Sequence, residues 1–176
     1  GSGASGALRV ATYGLAQPLS PPTAPATLAT NVSDVPRAAA APDGTFVVAW
    51  VAAGDVFAQR VSGMGAPVGA AVQVSPVSAQ VQDQPALAAI GDGTFVVAWR
   101  DAAPDGVDGD GTAVRWARLG SNLQRVGDAR SAATTVAGDQ ARPTLAVGAG
   151  MNPTLLIAWE DAPSGHIRGQ IGRAHV

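Results

Sequence analysis

Apolar and polar positions along this chain follow a pattern that comes back. Thr45-Phe46-Val47-Val48-Ala49-Trp50 returns as Thr94-Phe95-Val96-Val97-Ala98-Trp99, and more loosely as Thr154-Leu155-Leu156-Ile157-Ala158-Trp159. Each run is apolar at odd and even positions alike and rich in β-branched side chains. Such a run reads as a strand buried on both faces, and it is too short for an ordinary helix. Asp43-Gly44 and Asp92-Gly93, which are hairpin-turn dipeptides, precede the first two runs. Gly150-Met151-Asn152-Pro153, also a turn signal, precedes the third.

Other short segments recur in fixed order around each run. A strand opening on Pro comes first: Pro36 to Ala41, Pro85 to Ile90 and Pro143 to Val147. Proline is tolerated at a strand's first position, where no interior ladder bond is lost. The Trp-ended strand follows, then a third strand at Val56 to Val61, Val114 to Leu119 and Ile167 to Ile171. A fourth is expected at Ala71 to Ser75 and at Ser131 to Thr135.

Trp50 and Trp99 are 49 positions apart, and Trp99 and Trp159 are 60 apart, the excess lying in an Asp/Gly-rich insertion. Four short strands per repeat of this length describe a propeller blade. The expected fold is therefore all-β and β-propeller-like, with four-stranded antiparallel blades, about three of them. The expected division is a linker or cloning scar at 1–6, a half blade at 7–35, full blades at 36–84 and 85–142, and a partial blade at 143–176. Blades that start and stop part-way would leave open strand edges. Such edges are normally covered or paired, so self-association or contact with neighbouring repeats is the expected partnership.

The repeat resembles one found in large bacterial secreted and surface proteins, which read "DGxFVVxW", then "YAQRF", then "DQxxP". The residues that carry the likeness are Asp43 to Trp50, Val56-Phe57-Ala58-Gln59-Arg60-Val61, Gly65 to Gly69, Val72-Gln73-Val74 and Asp139-Gln140-Ala141-Arg142-Pro143. The resemblance implies a bacterial extracellular or cell-surface module. Its implied role is non-enzymatic, in adhesion, scaffolding or assembly. A carbohydrate-binding propeller lectin is the alternative.

Composition narrows the chemistry. All 11 basic residues are Arg and 12 of the 13 acids are Asp, with Glu160 the exception. The absence of Lys removes Schiff-base and phosphate-clamp lysines. A net charge of -2 gives no electrostatic footprint for nucleic acid. No apolar run approaches the ~20 residues of a membrane-spanning helix. Without Cys there is no thiolate nucleophile and no thiolate metal ligand.

Two candidate sites remain. Asp101, Asp105, Asp108 and Asp110 offer hard oxygen ligands at close spacing among glycines, the donor type that Ca²⁺ takes. Trp50, Trp99 and Trp159 recur at strand ends, and Trp116 on a third strand could share their surface. Together they could stack on sugar rings or simply fill the space between blades. Hydrolysis by Glu160 and Asp161 is disfavoured, because adjacent strand residues point to opposite faces. The only Tyr is Tyr13, and His166 and His175 have no motif neighbours.

Overall fold

A computed structural model describes residues 6–13, 15, 24–76, 80–102, 111–133, 138–148, 153–162 and 165–173. Among them every regular element is a strand: β1 Gly6–Val10, β2 Ala26–Val32, β3 Arg37–Ala40, β4 Phe46–Ala52, β5 Asp55–Val61, β6 Pro67–Gln73, β7 Gln82–Ala89, β8 Phe95–Asp101, β9 Ala113–Leu119, β10 Arg130–Ser131, β11 Gln140–Val147, β12 Thr154–Asp161 and β13 His166–Arg173. All pairings are antiparallel. The first blade runs β3-β4-β5-β6, the second β7-β8-β9-β10, and the third is β11-β12-β13. The fold is an all-β partial propeller of about three blades. The β1-β2 hairpin joins the first sheet through the single bridge Val32 to Ala52.

The unbroken apolar runs follow from this stacking, because each middle strand has a sheet on either side. Val47 and Val51 of β4 pack with Phe95, Val97 and Trp99 of β8. The alternate residues Val48 and Trp50 pack under Leu8 and Val32 of the N-terminal hairpin. Val96 of β8 faces Leu155, Ile157 and Trp159 of β12 in turn. In every blade the Val/Ile and Trp of the middle strand point to the preceding unit, joined by Phe95 in the second and Leu155 in the third. The three Trp are 2%, 0% and 5% exposed.

The Asp-Gly-Thr turns are held by a repeated clamp. The Asp43 carboxylate accepts from the Thr45 amide (3.0 Å) and hydroxyl (2.6 Å). Arg60, on the neighbouring strand β5, donates to the Thr45 hydroxyl at 2.6 Å. Asp92, Thr94 and Arg118 repeat the set, with Arg118 2.8 Å from Asp92. Gly44 and Gly93 take φ of 79° and 87° there, which Gly adopts without a Cβ penalty. In the third blade Ile171 stands where the Arg would be, opposite Leu156.

One expectation about the first strands is corrected. β7 and β11 begin three residues before their prolines, at Gln82 and Gln140. A bulge interrupts each ladder, and Gln84 and Arg142, directly before Pro85 and Pro143, both take φ of 53°. The bulge turns the proline out of the ladder, so its missing N–H costs no bond. The last strand of the second blade is also shorter than expected. Only Arg130 and Ser131 pair with β9, and Thr134 and Thr135 lie outside the described residues.

Candidate functional site

Between blades, β7 lies against β3 on one side and β11 on the other, so the leading ends of the three strands converge. There they enclose a cavity of about 510 Å³ whose polar lining is Asp34, Arg37, Gln84, Arg142 and Thr144. Each of the three blades contributes to it.

A ladder of side-chain to backbone bonds fixes it. Asp34 accepts from the Val35 amide at 2.6 Å and from the Gln84 amide, one blade on, at 2.6 Å. The Gln84 side-chain oxygen accepts from the Arg142 amide, one blade further, at 2.7 Å. Bulging takes the Gln84 and Arg142 N–H groups out of their own sheets. The preceding blade then supplies the acceptor, which satisfies donors that would otherwise be stranded. Left-handed backbone at these non-Gly positions costs of order 1 kcal/mol each. It persists because the neighbour holds it.

Two nearby arginines are ion-paired. Arg100 makes a two-pronged contact with Asp83, at 2.7 and 2.6 Å. That hydrogen bond raises the Arg100 pKa against the opposing effect of burial, with Asp83, Asp139 and Asp34 adding Coulombic support. Arg142 reaches both oxygens of Glu160, at 3.0 and 2.9 Å. Arg37 is exposed and donates to the carbonyls of Val35 and Pro36. Asp34 is the carboxylate among the described residues lining the cavity. Fixed donors and acceptors around a concave space suit a ligand with many hydroxyl groups.

The expected site residues fall elsewhere. Asp101 is a β8 residue, 1% exposed, accepting from Gln82 at 3.3 Å and lying 3.8 Å from Arg115. A carboxylate buried beneath a guanidinium is not available as a loop ligand, and this part of the calcium expectation is corrected. Asp105, Asp108 and Asp110 lie outside the described residues. No group of three His, Cys, Asp or Glu placed to hold a metal occurs among those described. Trp50, Trp99 and Trp159 take the packing alternative: their rings are sealed between sheets and offer no face to a sugar. Trp116 is half-buried and lines a separate cleft between the second and third blades. Glu160 is partly exposed while Asp161 is buried, on opposite faces of β12 as their adjacency requires.

No protein-family model and no curated protein sequence matches the chain. Solved structures do. An endo-arabinase from Bacteroides thetaiotaomicron superposes with a TM-score of 0.50 at 15% identity, covering 80% of this chain and 55% of that one. A family-43 endo-arabinanase from Bacillus licheniformis gives 0.46 at 13%, covering 84% and 57%. An α-L-arabinofuranosidase from Lactobacillus brevis gives 0.46 at 12%, covering 84% and 56%. The chain spans about half the length of these proteins. The likeness establishes the propeller fold. The matched structure is that of an enzyme, so the expectation of a non-enzymatic adhesion module is withdrawn: a propeller of this repeat type does not mark the chain as one. The expectation failed because the repeat motif encodes blade packing, which is common to propellers of any function.

Proposed function

We propose that this chain is part of a carbohydrate-active β-propeller and supplies one wall of its axial substrate site. The observation that carries the reading is the cavity where β3, β7 and β11 converge, with Arg37 and Arg142 as donors and Asp34 as acceptor. The fold it shares with an endo-arabinase supports a pentose-containing glycan as the substrate class. The backbone of Arg142 is held by Gln84, and its guanidinium pairs with Glu160 at the exposed rim of the cavity. Glycoside cleavage takes two carboxyl groups flanking one bond. On this wall Asp34 would be one, oriented by two backbone amides, and the second would come from outside the described residues.

Affinity electrophoresis in gels containing debranched arabinan, arabinoxylan or no polysaccharide tests the reading, with reducing-sugar release measured alongside. Retardation by a pentose polysaccharide is expected, with Arg142→Ala and Arg37→Ala each weakening it about tenfold or more. Wild-type mobility that ignores every polysaccharide, without sugar release, would overturn it.

A further inference from the structure

The junction between the second and third blades is not packed like the one before it, although the two occupy equivalent positions. At the first junction β8 and β9 present the opposed pair Phe95 and Leu119, both fully buried against Val47 and Ala58. At the second junction the same pair is Leu155 and Gly172. Trp116, which takes the register position of Ala58, stands across from them. Gln170, opposite Ile157, replaces the buried Ala117. Side-chain volume has therefore been removed from one wall, and an aromatic has been placed on the other.

The result is a cleft of about 530 Å³. A Cβ added at Gly172 would meet nothing within 4 Å, so the space is open at that point. Ile90, Val96, Leu155 and Ile157 form an apolar floor, and Trp116 stands beside it. The mouth carries Asp128, Arg130, Ser131 and Gln170, and the Arg130 guanidinium carbon lies 5.8 Å from the Trp116 ring centroid. An apolar ligand would find no use for the five polar side chains of the lining, Arg118 among them. A highly charged one would be stranded on the floor. A ring with one apolar C–H face and hydroxyls around its edge satisfies both regions.

We infer that this inter-blade cleft is a second saccharide site, separate from the axial cavity. One sugar unit lies against Trp116, and its hydroxyls meet Asp128, Arg130 and Gln170. The saccharide class rests on the carbohydrate reading above, whereas the cleft itself follows from the Phe95/Leu119 to Leu155/Gly172 exchange.

Tryptophan fluorescence of the whole chain, titrated with arabinotriose, xylotriose and cellotriose, tests the inference. Three of the four Trp are buried, so a ligand in the cleft acts chiefly on Trp116. A saturable emission change is expected with at least one trisaccharide. Trp116→Ala removes the reporter, so its affinity is read by isothermal titration calorimetry, where it should bind about tenfold or more weakly than wild type. Gly172→Leu, which restores the residue found at the first junction, should abolish the emission change while melting no lower than wild type. Arg142→Ala should leave it unchanged. Undiminished binding in Gly172→Leu would overturn the cleft. So would loss in Arg142→Ala alone, which would place all binding on the axis and leave the axial reading standing. Silence with all three sugars, or a response confined to a long-chain acyl probe, would equally overturn it.

Discussion

The guanidinium carbon of Arg60 lies 5.6 Å from the centroid of the Phe95 ring, across the junction of the first and second blades. The same arginine donates to the Ser121 carbonyl of the second blade at 2.7 Å and to Thr45 of its own. One side chain thus locks a turn and ties two sheets together. We expect Arg60→Ala to lower unfolding free energy by about 2 kcal/mol, since it removes a ring contact and charge-assisted bonds in a half-buried place. Urea unfolding of Arg60→Ala, Phe95→Leu and the double variant checks this. Non-additivity of about 0.5 kcal/mol or more would mark the pair as coupled, whereas strict additivity would show that the ring contributes nothing to holding Arg60.

The turn clamps make acid stability depend on two aspartates. Asp43 is held below the ordinary aspartate value of 3.8 chiefly by the Thr45 hydroxyl and amide. For Asp92 the largest influence is burial, which raises its pKa, but Thr94 and Arg118 together outweigh it and the net shift is downward. A depressed folded pKa contributes stability that is full above the unfolded value and is lost as pH falls through the folded one. Melting temperature should therefore decline between about pH 4 and pH 2. The double variant Asp43→Asn, Asp92→Asn should start lower at neutral pH and lose less over that window. Parallel acid limbs for the two proteins would refute the assignment.

Burial of the recurrent tryptophans separates packing from recognition. Trp99 is fully buried between the first and second blades. Trp99→Ala should cost about 3–5 kcal/mol, and Trp99→Phe should retain much of that loss. Glycan binding by Trp99→Phe, measured where the protein remains folded, should match wild type. A selective loss of binding in a stable Trp99→Phe protein would return this residue to the ligand.

The blade strands were legible because their environment is local and repetitive. A strand covered on both faces must be apolar throughout, and Phe46 to Trp50 and Phe95 to Trp99 meet that condition directly. The axial cavity was not legible. It depends on Asp34 reaching the amide of Gln84, 50 residues on, and on Gln84 reaching that of Arg142, 58 further. Its backbone also contradicts the usual rule, since a residue before proline is normally extended, yet Gln84 and Arg142 are left-handed. One faint signal was available: polar residues stand directly before Pro85 and Pro143, the prolines that open the expected first strands. The inter-blade cleft was similarly hidden. Trp116 stood out by type, but only the register shows that it faces a glycine.

The innermost ends of the second and third blades carry a buried polar set that the first blade lacks, and this difference can be tested. Gln82, Asp101 and Arg115 come together in the second blade. Gln140 pairs in register with Asp161, which Arg168 contacts at 2.5 Å, in the third. The first blade has Ser33 and Ala52 at the same distances from its proline and Trp, and Phe57 at the register position of Arg115 opposite the Trp. Removing one member of a buried ion pair strands the other, so Asp101→Ala should destabilise by about 3–5 kcal/mol. Replacing the whole set by apolar or small residues removes the desolvation cost together with the attraction. The triple variant Gln82→Ser, Asp101→Ala, Arg115→Phe should therefore lie within about 1 kcal/mol of wild type in urea unfolding. A triple variant as unstable as Asp101→Ala alone would mean that the charged set fixes the blade ends, and that the first blade depends on the N-terminal hairpin to manage without it.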